Sequence, residues 1–147
     1  MSGLRTLAAA YLTALVVFCG LDFVWLSYAG DAIYRPAIGE FLRSGFDARP
    51  AVAFYLIYVF GLVFLSIRLA ASLAEATSRG AVYGFCAYAT YDFTNQATLR
   101  HWPLTLSLMD MAWGTALSGV AAACGYLALT IASRTTVTGA AGAAKTR

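Results

Sequence analysis

Charge is what this sequence has least of. Only 12% of its 147 residues are Asp, Glu, Lys or Arg, while 61% are hydrophobic. A soluble domain carries about 25% charged residues, so the shortfall points to lipid as the solvent. The net charge is +3, but the basic residues are scattered along the chain. Without a basic face, nucleic acid is excluded as a partner. Histidine occurs once, at His101, which excludes the His-rich metal clusters of membrane desaturases. The three cysteines, Cys19, Cys86 and Cys124, all lie in apolar runs with no C-x-x-C or Cys/His spacing. They read as small packing residues, and neither a disulfide framework nor a zinc site is expected. A Ser/His/Asp triad, a P-loop and a di-iron box are also missing. No cofactor and no metal is implied.

What the chain does have is long apolar runs, at 4–27, 51–71, 80–99 and 104–132. Each supplies about the 20 residues needed to cross a hydrocarbon core. Pro50 and Pro103 open the second and fourth runs, where a missing N–H costs nothing. The runs are continuous and rich in Leu, Ala and Gly, unlike the alternating ten-residue strands of membrane barrels. The expected fold is all-α, an integral membrane four-helix bundle over 1–134, followed by a disordered Thr/Gly/Ala-rich tail at 135–147. Ser27-Tyr28-Ala29 loosely resembles a signal-peptide cleavage site. The stretch before it is too long, and Asp22 and Trp25 sit where such a peptide is bland, so it reads as a retained span.

The longest loop runs from Tyr28 to Arg49. Its stretch Ile38 to Arg43 reads equally well as a short surface helix or as solvated loop. Small residues four apart, at Gly80/Gly84, Gly114/Ser118 and Ala121/Gly125, allow close helix packing in lipid.

Three carboxylates lie inside the expected spans: Asp22, Asp92 and Asp110. Charge near the bilayer centre is costly, so such acids face inward and mark sites. Counted from the helix ends at 1.5 Å per residue, all three sit roughly 7–11 Å below one membrane surface. Aromatic and polar residues repeat that level. Trp25 follows Asp22 by three residues, and Trp113 follows Asp110 by three, each pair on one helix face. Tyr88, Asp92 and Asn95 share a face, with Tyr91 and Thr94 beside them. Tyr55 and Tyr58 reach the same depth from the second run. Their hydroxyl and indole groups can donate to the carboxylates. Asp92, Asp110 and Asp22 are therefore the candidate catalytic groups. Tyr88, Tyr91, Asn95, Thr94, Trp25, Trp113, Tyr55 and Tyr58 are the candidate substrate-binding groups. His101 reads as interfacial.

The stretch Tyr88-Ala89-Thr90-Tyr91-Asp92-Phe93-Thr94-Asn95, followed by Ala97-Thr98-Leu99 and Trp102-Pro103, resembles the signature of the bacterial predicted membrane proteins called DUF2177. Asp22-x-x-Trp25, Tyr34-Arg35, Phe54-Tyr55 with Tyr58, and Asp110-Met111-x-Trp113-Gly114 extend the resemblance to about Ser133. The family pattern has Leu at the places of Phe93 and Gln96. The resemblance implies a compact four-helix bacterial membrane protein and brings no reaction, ligand or catalytic residue with it.

Three function classes stay open. One is a membrane enzyme, or its accessory, acting on a lipid or other apolar small molecule. The second is a small proton- or cation-coupled transporter. The third is a structural or assembly protein. The lipid bilayer is the partner in each, and a homo-oligomer is compatible with all three. The expected location is a bacterial inner membrane.

Six basic residues (Arg5, Arg68, Arg79, Arg134, Lys145, Arg147) fall on the side of the termini and four (Arg35, Arg43, Arg49, Arg100) on the other. This bias places both termini in the cytoplasm. Reporter fusions after Arg147 and within the 28–49 loop are expected to report opposite sides of the membrane. A shared side rules out four crossings.

Overall fold

The computed structural model describes residues 2–145, with side chains described for 3–135. Helix α1 (Ser2–Ala29) carries the first apolar run. It does not stop at the loop. A π-helical turn, Gly30–Tyr34, leads directly into the short helix α2 (Arg35–Ile38), and a 3-10 turn, Gly39–Phe41, follows. The loop expected from Tyr28 is thus helical as far as Phe41, and the irregular chain is confined to 42–47. Of the stretch Ile38 to Arg43, only the 3-10 turn is helical beyond α2. Pro36 is accommodated because it lies at the start of α2, where no N–H is required.

Helix α3 (Ala48–Leu62) ends in a second π-helical turn, Val63–Ile67. Asp47 caps its start by accepting the Arg49 N–H at 3.1 Å. Hydrogen bonds from Arg49 hold the Asp47 carboxyl below its ordinary value. Helix α4 (Leu73–Thr98) starts seven residues before the third apolar run. Its start is set by local chemistry: Ser72 accepts the Glu75 N–H (3.2 Å), and Glu75 reaches back to the Ala71 N–H (2.8 Å). This is a near relative of the capping box. Helix α5 (Leu104–Lys145) takes the fourth run and continues past it. Within the 135–147 tail, the side chains beyond Thr135 and the whole of Thr146 and Arg147 lie outside the described residues.

No strand occurs among the described residues, and the chain is an all-α membrane bundle of four long helical segments. Three stretches are long and apolar enough to cross a membrane: Gly3–Phe41, Ala48–Ile67 and Leu104–Thr135. Helix α4 has the length, at 26 residues, but Glu75, Arg79 and its hydroxyl residues lower its hydropathy. It pairs along α5, to which the five residues 99–103 join it, while α1 packs on the other side of α5.

The bundle turns apolar residues outward. Val16, Phe23 and Ile57 are each more than 70% exposed, as lipid-facing residues must be. The buried core combines Ala10, Ala14 and Phe18 of α1 with Val59 and Leu62 of α3 and Leu117, Ala121 and Ala122 of α5. Apolar burial drives little association in lipid, so close packing has to hold the helices together. The small residues supply it. A Cβ on Gly84 falls onto the Gly114 carbonyl and the Ser118 side chain, and one on Gly114 falls into the Tyr88 ring. One on Gly80 meets Ala122 and the Ser118 carbonyl. Gly125 does the same job against Ile67 and Ala10.

Gly84→Val is therefore expected to destabilise the bundle by about 1–3 kcal/mol or to block folding, because backbone cannot yield as a side chain does. Gly20 has no atom within 4 Å of its would-be Cβ, so Gly20→Val is expected to fold normally. Unfolding in mixed micelles compares the two, and equal losses contradict this packing.

Candidate functional site

All three acids of the expected spans are buried, one on each of α1, α4 and α5. They lie at the end of the bundle where α1 runs into α2, and where α4 turns into α5. They are not gathered on one point: among the described residues, no three of His, Cys, Asp and Glu stand close enough to share a metal ion. Asp22 is near enough to Asp110, and Asp110 to Asp92, for the charge of the first to act on the second in each pair.

Asp22 is held by two donors. The Tyr55 hydroxyl of α3 donates to it at 2.7 Å, and the Trp113 indole N–H of α5 donates at 3.1 Å. Asp110 accepts from the Tyr34 hydroxyl, and that hydroxyl accepts the Trp25 indole N–H at 3.2 Å. The two indoles stack, with ring centroids 4.7 Å apart and planes 12° from parallel. Each tryptophan thus serves the carboxylate of the other's helix, Trp113 directly and Trp25 through Tyr34.

Asp92 is different. It is 0% exposed, and neither of its carboxylate oxygens has a hydrogen-bond partner. Trp102 and Ser107 lie beside it. They bond each other, the indole N–H donating to Ser107 Oγ at 3.1 Å, and neither closes a well-formed bond to the carboxylate. Tyr88 and Asn95 share its helix face, yet they leave it unbonded. An unpaired polar group in an apolar interior costs several kcal/mol, so Asp92 is the least satisfied side chain in this layer.

The remaining expected residues divide. Tyr88 packs over Gly114 and stands edge-on to Tyr58 at 6.2 Å. Tyr58 is buried and shares a 2.8 Å hydrogen bond with Ser118, about two turns deeper along α5 than Asp110. Tyr91 is 59% exposed, beside Asn95, and meets Trp102 edge-on at 5.8 Å. Thr94 is exposed and lines a shallow groove with Thr90 and Phe93 on the outer face of α4, away from the acids. His101 is exposed.

Three contributors to the layer were not among the site residues expected from sequence: Tyr34, Trp102 and Ser107. Tyr34 lies nine residues after Trp25, which in an unbroken α-helix is about 180° around the axis. The π-helical turn inserts one residue and rotates the chain beyond it by about 100°. That shift lets Tyr34 meet both Trp25 and Asp110. The apolar cluster of Ile38, Trp102 and Leu106, flanked by Ile33, Tyr34 and Leu99, closes the layer from above.

A family model described as a predicted membrane protein (DUF2177) matches residues 7–127, which include all three acids and every donor named above. No curated protein and no solved structure matches the chain.

The clamp on Asp22 can be tested without knowing any activity. Tyr55→Phe removes one donor to a buried carboxylate and is expected to cost about 1.5–3 kcal/mol. Tyr28 is exposed, and Tyr28→Phe is expected to stay within about 0.5 kcal/mol of the parent. Reversible unfolding in micelles measures both; indistinguishable values contradict the clamp.

Proposed function

The chain belongs to the DUF2177 family of predicted membrane proteins, and on that footing we propose that it acts on a lipid or other apolar substrate near one membrane surface, with Asp92 as its acid/base group. The protein resides in a bacterial inner membrane with both termini in the cytoplasm. One observation carries the reading: of three enclosed carboxylates, only Asp92 lacks a well-formed hydrogen bond, with Trp102 and Ser107 lying just within its reach. A general acid or base needs a carboxyl whose oxygens are free for the substrate's proton. Asp22 and Asp110 are engaged by Tyr55, Trp113 and Tyr34, and their role is to fix α1, α3 and α5 around the site.

Transport is less well supported. A carrier needs a polar path through the other half of the membrane. Beyond the Tyr58–Ser118 pair, the buried residues include Ala10, Ala14, Leu62, Val63, Ile67, Ala76, Ala121 and Ala122, with Ser66 the lone polar one among the described residues. A purely structural role is supported by the pairing of Asp22 and Asp110, but it gives no reason to keep Asp92 unbonded.

Asp92→Asn keeps the shape and removes the titratable proton. In a strain lacking the protein, lipid profiling is expected to show a difference that the wild type restores. The folded, membrane-inserted Asp92→Asn variant is expected to leave it unrestored, with turnover down by roughly 10²–10⁴. Full restoration by folded Asp92→Asn refutes the assignment.

A further inference from the structure

The environment of Asp92 also indicates what it receives. The groups acting on its carboxylate are Asp110, Trp102 and Ser107, and none of them is basic. Among the described residues, the ion pairs Arg35–Asp31, Arg43 and Arg49 with Asp47, and Arg79–Glu75 lie elsewhere and are largely exposed. The formal charge that acts on Asp92 is a second acid. Its complement is a cation that carries hydrogen-bond donors.

A compact divalent ion is a poor match. No three ligating side chains converge among the described residues, and such ions take six or more oxygen ligands. An organic ammonium asks for less, namely one carboxylate and an aromatic face. Both are at hand. Trp102 lies beside Asp92, and the exposed Tyr91 leans edge-on against Trp102. Trp102 belongs to the turn between α4 and α5, where it is buried with its indole N–H held by Ser107 Oγ. The sequence of side chains from lipid inward is therefore Tyr91, Trp102, Asp92.

We propose that Asp92 receives the primary ammonium head of an amphiphile that enters from the lipid past Tyr91 and Trp102. This rests on Asp92 being the working group and adds the chemical class of its ligand. An amine-bearing lipid headgroup and a free long-chain amine share that chemistry.

The test uses the full chain in phosphatidylcholine vesicles, titrated with dodecylamine and, separately, with dodecanol as its uncharged match. Dodecylamine is expected to raise the unfolding temperature and change tryptophan emission saturably, while dodecanol does neither. Asp92→Asn is expected to bind dodecylamine at least about tenfold more weakly, the loss of one charge-assisted hydrogen bond. Trp102→Phe retains the acid and is expected to bind with an altered rate and a smaller emission change. Replacing part of the phosphatidylcholine by phosphatidylethanolamine separates the two sources. Weakened dodecylamine binding identifies the headgroup as occupant, and unchanged binding identifies the free amine. An equal response of the wild type to dodecylamine and dodecanol overturns the proposal, even if Asp92→Asn does not fold. So does undiminished dodecylamine binding by folded Asp92→Asn. Neither readout depends on turnover, so amine binding together with full complementation by Asp92→Asn would refute the acid/base role alone.

Discussion

A carboxylate inside a hydrocarbon layer has to be enclosed, and once enclosed it has to be given donors or left in deficit. Much of the layout at this end of the bundle answers that constraint. Asp22 on α1 draws a tyrosine from α3 and a tryptophan from α5. Asp110 on α5 draws Tyr34 from the segment after α1, which explains why that segment stays helical instead of leaving for solvent. The donors are side chains with one polar atom on an apolar body, the type that satisfies a carboxylate while still facing neighbouring rings and aliphatic groups. No arginine is needed, and the ion pairs stay with the loops and helix ends.

Enclosure in turn depends on how closely α4 approaches α5. Gly80, Gly84 and Gly114 allow backbone and Ser118 to meet across that interface, and the Tyr88 ring occupies the hollow over Gly114. With a side chain at any of these places the helices stand apart and Asp92 loses its cover. Packing chemistry along the middle of the α4–α5 interface thus sets the environment of the acid nearer its end.

The membrane class and the helices were legible from sequence because each rests on composition or on helical period. The runs were long, and the small residues were four apart. Individual partners were less legible. Tyr34 was hidden because a π-helical turn shifts the phase on which face assignments rely, and nothing in Gly30–Tyr34 announces that turn. Ser107 and Trp102 are ordinary residues until the α4–α5 turn folds one onto the other. Tyr91 and Thr94 were grouped with Asp92 by proximity in sequence, yet residues one and two positions away on a helix point elsewhere, and both are exposed. Asp92 itself was expected to be supported by Tyr88 and Asn95. They share its face without bonding it, since a shared face brings side chains near without aiming their polar atoms.

The stacked indoles have a mechanical meaning. Asp22-x-x-Trp25 and Asp110-x-x-Trp113 are the same short pattern on two helices that run in opposite directions; Trp113 reaches across to Asp22, and Trp25 holds the Tyr34 hydroxyl that reaches across to Asp110. Apolar helices in lipid have little to prevent one from sliding along its neighbour, because one methyl group replaces another at each step. A reciprocal latch removes that freedom. A shift of α1 along α5 in either direction draws Trp113 away from Asp22 and Tyr34 away from Asp110 in the same movement, so the register of the two helices is fixed from both sides.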